Sequence, residues 1–257
     1  MPRPLLDPPC HSWAEDLTLP DEQPIKIKSL GASTPNHIDQ TYLEIPRKTI
    51  ELRNIFFLMM IPVIIASITA LPILAYNIVI DEPDLLPLIA FTLVNHTICI
   101  SYSLKTCLLP PRDEPIRFNR ARKKIYAYNY TYCWWNPFEK SRTTTVAYEW
   151  SQVRAERWLW RGAHFKCGVV LSIIRSGTNE VIDRFQLTTM GADVHAWAYI
   201  CAYMQEGPSA LPPPGEPKDH NDVLWCELAS RLAPKVVWPP EMDLESRTAA
   251  SQDLSRV

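Results

Sequence analysis

Two stretches of the chain, Ile55–Ile80 and Leu85–Leu104, contain no Asp, Glu, Lys or Arg. Each is long enough to span a bilayer, since about 20 residues at ~1.5 Å rise cover a ~30 Å hydrocarbon core. The first, "IFFLMMIPVIIASITALPILAYNIVI", lacks the polar face of a soluble core helix. Its Pro62 and Pro72 are tolerated in membrane helices. The second, "LLPLIAFTLVNHTICISYSL", is interrupted by Asn95 and His96. On a two-helix hairpin such a pair reads as hydrogen bonding to the partner helix or another subunit ahead of an ion path, and any functional role is left open. Only "DEPD", residues 81–84, joins the runs, which makes an antiparallel hairpin with both flanks on one side. Basic residues choose the side: Arg47, Lys48 and Arg53 precede the hairpin, Lys105 and Arg112–Lys124 follow it, and the link has none. The positive-inside rule then predicts cytoplasmic termini. The first apolar run lies too far into the chain for a signal peptide.

Beyond Ile116 the period changes to two. Lys124, Tyr126, Tyr128, Tyr130, Tyr132 and Trp134 fall on one face of a strand, and Ile125, Ala127, Asn129, Thr131 and Cys133 on the other. "WNPFEKSR" supplies a turn and "TTTVAYEW" returns with Val146, Tyr148 and Trp150 on one face. "VRAERWLW" and two β-branched runs around "SGTN" complete at least five short antiparallel strands. "GADVHAWAYICAYMQEGP" reads as an amphipathic helix capped by Asp193 and ended by Gly207. A second short helix is expected from about Asn221 to Leu232, followed by a polar, frayed end.

These patterns predict an α+β membrane protein in four parts. Residues 1–46, with eight of the 24 prolines, read as an extended cytoplasmic tail. Residues 47–109 form a two-helix transmembrane hairpin (about 55–80 and 85–106). Residues 112–207 form a cytoplasmic antiparallel β domain, pleckstrin-homology-like and closed by a helix. Residues 208–257 form a Pro-rich extension with one short helix.

Composition narrows the chemistry. Seven scattered cysteines without C-x-x-C fit a reduced compartment and argue against a disulfide framework or zinc site. The stretch "RFNRARKKIYAYNYTYCWWNPF" interleaves basic and aromatic residues as stacking platforms do. A net charge of −2 and tyrosines at strand spacing weigh against nucleic acid. The cations Arg112, Arg117, Arg120, Arg122, Lys123 and Lys124 read instead as a membrane-surface patch, each gaining about 1 kcal/mol from anionic headgroups. No nucleophile-elbow, zincin or phosphate-loop motif is present, and with seven glycines a phosphate-cradling loop is not expected. His195 reads as part of a helix start, Cys167 and Cys201 as packing groups, and Asp183–Arg184 as a surface pair. No catalytic residue, metal or cofactor is predicted. Among nine tryptophans, Trp134, Trp135, Trp158 and Trp160 are candidate partner-binding aromatics, with "RWLWRG" the favoured edge because Arg157 and Arg161 flank Trp158 and Trp160.

A hairpin followed by "IRFNRARKKIYAY", "WWNPF", "YEWSQVRAE" and "WAYICAYMQEGPSALP" resembles an uncharacterised family of proteobacterial two-pass inner-membrane proteins often encoded beside type VI secretion genes. The similarity covers Ile45–Leu211. It implies no catalytic residues. It implies a bacterial inner-membrane location and a role in interbacterial competition, as an immunity protein or adaptor for a secretion effector. The expectation is thus a membrane-anchored, non-enzymatic interaction protein with a protein partner, able to self-associate. The alternative is a module that senses anionic lipid through its sheet and juxtamembrane cations.

Overall fold

The computed structural model describes residues 3–22, 34–47, 50–81, 83–131, 139–162, 165–187, 194–212, 219 and 221–250. Among them lie nine strands: β1 (Trp13–Asp16), β2 (His37–Ile38), β3 (Tyr42–Ile45), β4 (Ile116–Asn119), β5 (Lys124–Thr131), β6 (Arg142–Glu149), β7 (Val153–Arg161), β8 (Phe165–Ile174) and β9 (Val181–Gln186). The helices are α1 (Ile50–Asp81), α2 (Leu86–Leu108), α3 (Val194–Glu206), α4 (Leu228–Leu232) and α5 (Pro240–Arg247). One antiparallel sheet runs β2-β3-β4-β5-β6 and the other β1-β7-β8-β9.

The expected tail is not an extended appendage. Its 4-residue strand β3 is buried throughout, and β1 and β2 join different sheets. The expected division at residue 46 therefore cuts through the β domain. β3 and β4 are hydrogen-bonded neighbours, in register from Tyr42↔Asn119 to Ile45↔Ile116, so the helical hairpin is an insertion between two adjacent strands.

The sheets meet at the Trp150–Gln152 turn, where Glu149 and Gln152 cap each other reciprocally and Trp150 is buried. Leu43, Ile45, Ile116, Phe118 and Ile125 of one sheet pack with Val153, Val169, Leu171 and Ile173 of the other. α3 closes this core. It was expected to be amphipathic, yet every residue from Ala196 to Met204 is buried. The reason is the tail, which covers its far side: Trp197 Nε1 donates to Thr18 O at 2.9 Å and Tyr203 Oη to Asp39 O at 2.9 Å. Gly207 ends the helix with φ +91°, its N–H reaching Tyr203 O, as the sequence predicts. The "SGTN" turn joins β8 to β9 with Gly177 at φ +76°.

The outer face of the four-stranded sheet buries an anion, Glu156. Its carboxylate accepts from Cys10 N–H at 2.9 Å, from Ser172 Oγ, and from Arg184 Nε at 3.2 Å. Arg184 also donates to Pro8 O, so residues 6–10 are strapped across this face, and the expected Asp183–Arg184 surface pair does not form. Asp183 instead accepts from Tyr148 Oη at 2.8 Å. Burial first, and this bond second, push the Tyr148 phenol up to about 12.

α1 and α2 turn back on each other through Pro83–Leu85, and Arg53 at the start of α1 donates to Pro110 O and Pro111 O beyond the end of α2. Their apolar side chains remain outside: Met59, Ile65, Ile68, Ile73, Leu88, Phe91 and Ile98 are all more than half exposed. Among the described residues, Pro87–Leu108 is long and apolar enough to cross a membrane and carries no burial along its apolar window, while Arg53–Thr69 forms a shorter apolar segment. Polar groups inside the hairpin bond their own helix four residues back. These include Ser67 to Val63 O, Thr92 to Leu88 O and Thr97 to Leu93 O. Asn95, expected to bond across the hairpin, donates to Phe91 O at 2.9 Å in the same way.

Two predictions follow from this topology. Because β3 and β4 are direct neighbours, replacing residues 49–111 with a short Gly-Ser turn leaves a folded, soluble β domain. Circular dichroism and size exclusion check this, and an aggregated product would count against the insertion topology. Gly168 lies opposite Trp158 in the β7–β8 ladder, and a Cβ there would meet the indole at 2.9 Å. Gly168→Ala is expected to lose about 1–3 kcal/mol of stability, and much less in a Trp158→Ala background, by denaturant unfolding in detergent.

Candidate functional site

The most highly organised polar cluster surrounds Arg117 on β4, which is 1% exposed. Its cross-strand neighbour on β3 is Glu44, and Arg117 Nε meets Glu44 Oε2 at 2.5 Å. Nη1 donates to Asp243 Oδ1 and Ser246 Oγ of α5, both at 2.7 Å. The guanidinium lies 4.4 Å from the Trp238 ring centroid. Around it, Tyr126 and Tyr128 of the tyrosine face pack with Val236, Trp238 and Met242. β5 is therefore buried on both faces from Ile125 to Tyr128, with Ile125 and Ala127 in the main core. The polar end beyond Met242, expected to be frayed, continues α5 to Arg247, and the C-terminal segment is the outer layer of this sheet.

The basic run that follows caps helices. Lys123 Nζ donates to Met204 O at 2.6 Å and Arg120 Nη2 to Gln205 O at 3.3 Å, both at the C-terminal end of α3. Asn119 Nδ2 donates to Ser246 O and Thr248 O at 3.0 Å, and Arg122 Nε to Thr248 O at 2.9 Å, at the end of α5. The last carbonyls of a helix lack internal partners and sit at the negative end of its dipole, so cations are favoured there. Lys124 Nζ meets Glu245 Oε1 at 2.9 Å. Arg112, 8% exposed, donates to Asn221 O at 2.6 Å and Arg231 O at 3.2 Å.

The cations expected as a membrane-surface patch, Arg112, Arg117, Arg120, Arg122, Lys123 and Lys124, hold the protein's own helices and C-terminal segment. Geometry agrees, because β4 carries the chain away from the hairpin root, and the Arg120–Lys123 turn lies one short strand, roughly 13 Å at ~3.3 Å per residue, beyond it. What placed these cations near a membrane was their proximity in sequence. The signal for their true role was the pair of helix ends elsewhere in the chain.

The expected partner aromatics are also redistributed. Trp134 and Trp135 lie outside the described residues. β7 lies between β1 and β8, but β1 pairs only with Glu156–Trp158, so within "RWLWRG" Trp160 and Arg161 extend beyond the β1 ladder. Trp158 is half-buried over Gly168, and Arg157 pairs with Glu15 at 2.8 Å. Trp160 remains 47% exposed and stacks on His11 with ring centroids 5.8 Å apart. Arg161 belongs to β7, and its side chain lies outside the described set.

The long sheet edges are β6 and β9, each paired on one side only among the described residues. Between them opens a cleft of about 420 Å³, lined in part by Asn129, Tyr130, Thr144, Val146, Arg184 and Gln186. Arg47, at its inner end, donates to Glu114 O at 2.5 Å, to Tyr128 O, and to Asn129 Oδ1 at 2.7 Å. Its guanidinium lies 5.6 Å from the Phe185 ring centroid. Among the described residues no cluster of three or more His, Cys, Asp or Glu could hold a metal.

An inserted apolar hairpin on a two-sheet domain, sealed by its own C-terminal segment, defines the class. The chain matches the family of unknown function DUF6708 over residues 93–250, more than half its length, and belongs to that family. The match runs from within α2 through α5, so the family's unit includes the C-terminal layer. No curated protein and no solved structure matches it.

The Arg117 cluster sets two expectations. Arg117→Ala leaves Glu44 buried without its cation and should cost about 3–5 kcal/mol by denaturant unfolding. Asp243→Asn, at a carboxylate 34% exposed, should cost no more than about 1 kcal/mol. Partial burial raises the Glu245 carboxyl, but the Lys124 ammonium and Tyr126 hydroxyl beside it outweigh that and hold it below its usual 4.5. A lowered folded-state value stabilises above the unfolded value and is lost as pH falls through the folded one. The α5 segment should thus become sensitive to an acid-active protease only below about pH 4.5, the ordinary glutamate value. Glu245→Gln should remove that part of the pH dependence.

Proposed function

We propose that this protein is a membrane-anchored, non-enzymatic binding module: a two-pass hairpin holds a pleckstrin-homology-like β domain at the bacterial inner membrane, where the domain engages a protein partner. The observation that carries this reading is the insertion of an apolar, outward-facing hairpin between hydrogen-bonded strands, which ties the body of the domain to the anchor. The order of strands, a four-strand run β3–β6 and a three-strand run β7–β9 followed by α3, supports the pleckstrin-homology-like comparison. The Arg117 and Glu156 clusters are buried internal pairs and the basic run caps helices, as suits a scaffold.

For the partner's mode of contact, the β6 edge, paired on one side only among the described residues, and its cleft favour an extended segment added as a further strand, with main-chain hydrogen bonds supplying affinity. The resemblance to proteins encoded beside type VI secretion genes points to an effector as that partner, in an immunity or adaptor role. The lipid-sensing alternative loses its main support with the cations engaged in capping.

The reading is tested by purifying the full-length protein from its host and identifying what accompanies it. A secretion effector encoded nearby is expected, and Thr144→Arg with Gln186→Arg should abolish its recovery while leaving membrane association and unfolding unchanged. In an immunity role, deleting the gene sensitises cells to sibling attack only while that effector gene is intact. Sensitivity independent of every effector would rule that role out.

A further inference from the structure

The C-terminal segment has a second face, turned toward the root of the hairpin. There α4 packs on both α1 and α2. The joint is a buried reciprocal pair: Asn54 Nδ2 donates to Ser230 Oγ at 2.9 Å, and Ser230 N–H donates to Asn54 Oδ1 at 3.1 Å. Arg112 braces the segment from the other side through Asn221 O and Arg231 O. Ala229 and Ala233 are buried. The large apolar side chains are left outside: Leu224 is 65% exposed, Trp225 80%, Leu228 40% and Leu232 64%.

Their position identifies what covers them. Asn54 is the last residue before the uncharged run begins at Ile55, so a segment bonded to it sits where α1 leaves the β domain. On α1, just beyond Asn54, Ile55, Phe56 and Met59 are exposed as well. Exposed apolar surface of this extent marks an interaction site. A tryptophan beside helix ends matches the headgroup level, where its amphipathic ring is favoured. Within the segment 221–235 the charges of Asp222 and Glu227 balance those of Arg231 and Lys235.

We propose that Leu224–Leu232 is an interfacial foot that lies in the membrane plane beside the hairpin, with Trp225 at the boundary between headgroups and acyl chains. This rests on the reading of the hairpin as membrane-spanning. It adds a second, monotopic attachment, which fixes the tilt of the β domain over the bilayer. Because its charges balance, the foot binds through apolar insertion and is indifferent to anionic lipid, unlike a cationic sensor.

The test uses the full chain in nanodiscs, with Cys99, Cys133, Cys167 and Cys226 changed to Ser. A nitroxide is placed in turn at Ile98→Cys in the hairpin, Trp225→Cys in the foot and Ile182→Cys on β9. Collision with oxygen and with a water-soluble nickel complex reports depth. The label at 98 should be deep. The label at 225 should show a several-fold higher oxygen-to-nickel ratio than that at 182, equal in zwitterionic and anionic bilayers. A label at 98 that is deep while 225 matches 182, or is shielded from both reagents by protein, overturns the foot and leaves the span standing. An insertion seen only in anionic bilayers also overturns it. An aqueous label at 98 overturns the spanning reading and the foot together. Leu224→Cys gives an independent reading where Trp225→Cys fails to fold.

Discussion

The structure depends on the neutralisation of one buried cation. A guanidinium with 1% of its side chain exposed is tolerated only where its charge and its N–H groups are met by protein. The Arg117 cluster draws on three distant places: Glu44 from before the hairpin, Arg117 itself from just after it, and Trp238, Asp243 and Ser246 from near the C terminus. None of these pieces has an apolar core of its own. Their convergence makes one unit of a chain that the hairpin would otherwise divide.

The other sheet solves the opposite problem in the same manner. Glu156 is a buried anion, and the N-terminal segment wraps over it, bringing the Cys10 N–H while Ser172 and Arg184 supply the rest. Burial first, and the Glu156 charge second, push the Cys10 thiol up to about 12, so it packs as a small neutral group. Each terminal segment thus clasps the outer face of one sheet around a single charge. The remaining cations of the β4–β5 turn meet helix ends, and the net charge of −2 reflects 26 Lys and Arg against 28 Asp and Glu along the chain.

Local patterns were legible where a local rule governs them. Period-two alternation located β5 to β9, Gly207 marked the end of α3, and the uncharged runs marked α1 and α2. Legibility failed where a residue's role depends on a segment far away in sequence. Tyr126 and Tyr128 alternate with Ile125 and Ala127 as in any half-buried strand, and nothing nearby signals that Val236 and Trp238 will cover them. The tail escaped notice because its strands are two to four residues long, too short for periodicity to register. The capping role of the basic run was hidden for a related reason: its partners, the ends of α3 and α5, lie 81 to 126 residues away in sequence.

The position of the hairpin between β3 and β4 also orders events in time. β3 leaves the ribosome before the apolar helices do, and its hydrogen-bonding neighbour emerges only after both. β1 waits longer still, for β7, and the Glu44–Arg117 pair gains Asp243 and Ser246 only when α5 arrives. The sheets therefore cannot close ahead of the hairpin's synthesis, and the unpaired N-terminal strands must be kept from straying until then. In this architecture a membrane-inserted hairpin would act as a clamp that returns the two halves of an unfinished sheet to the same side of the bilayer.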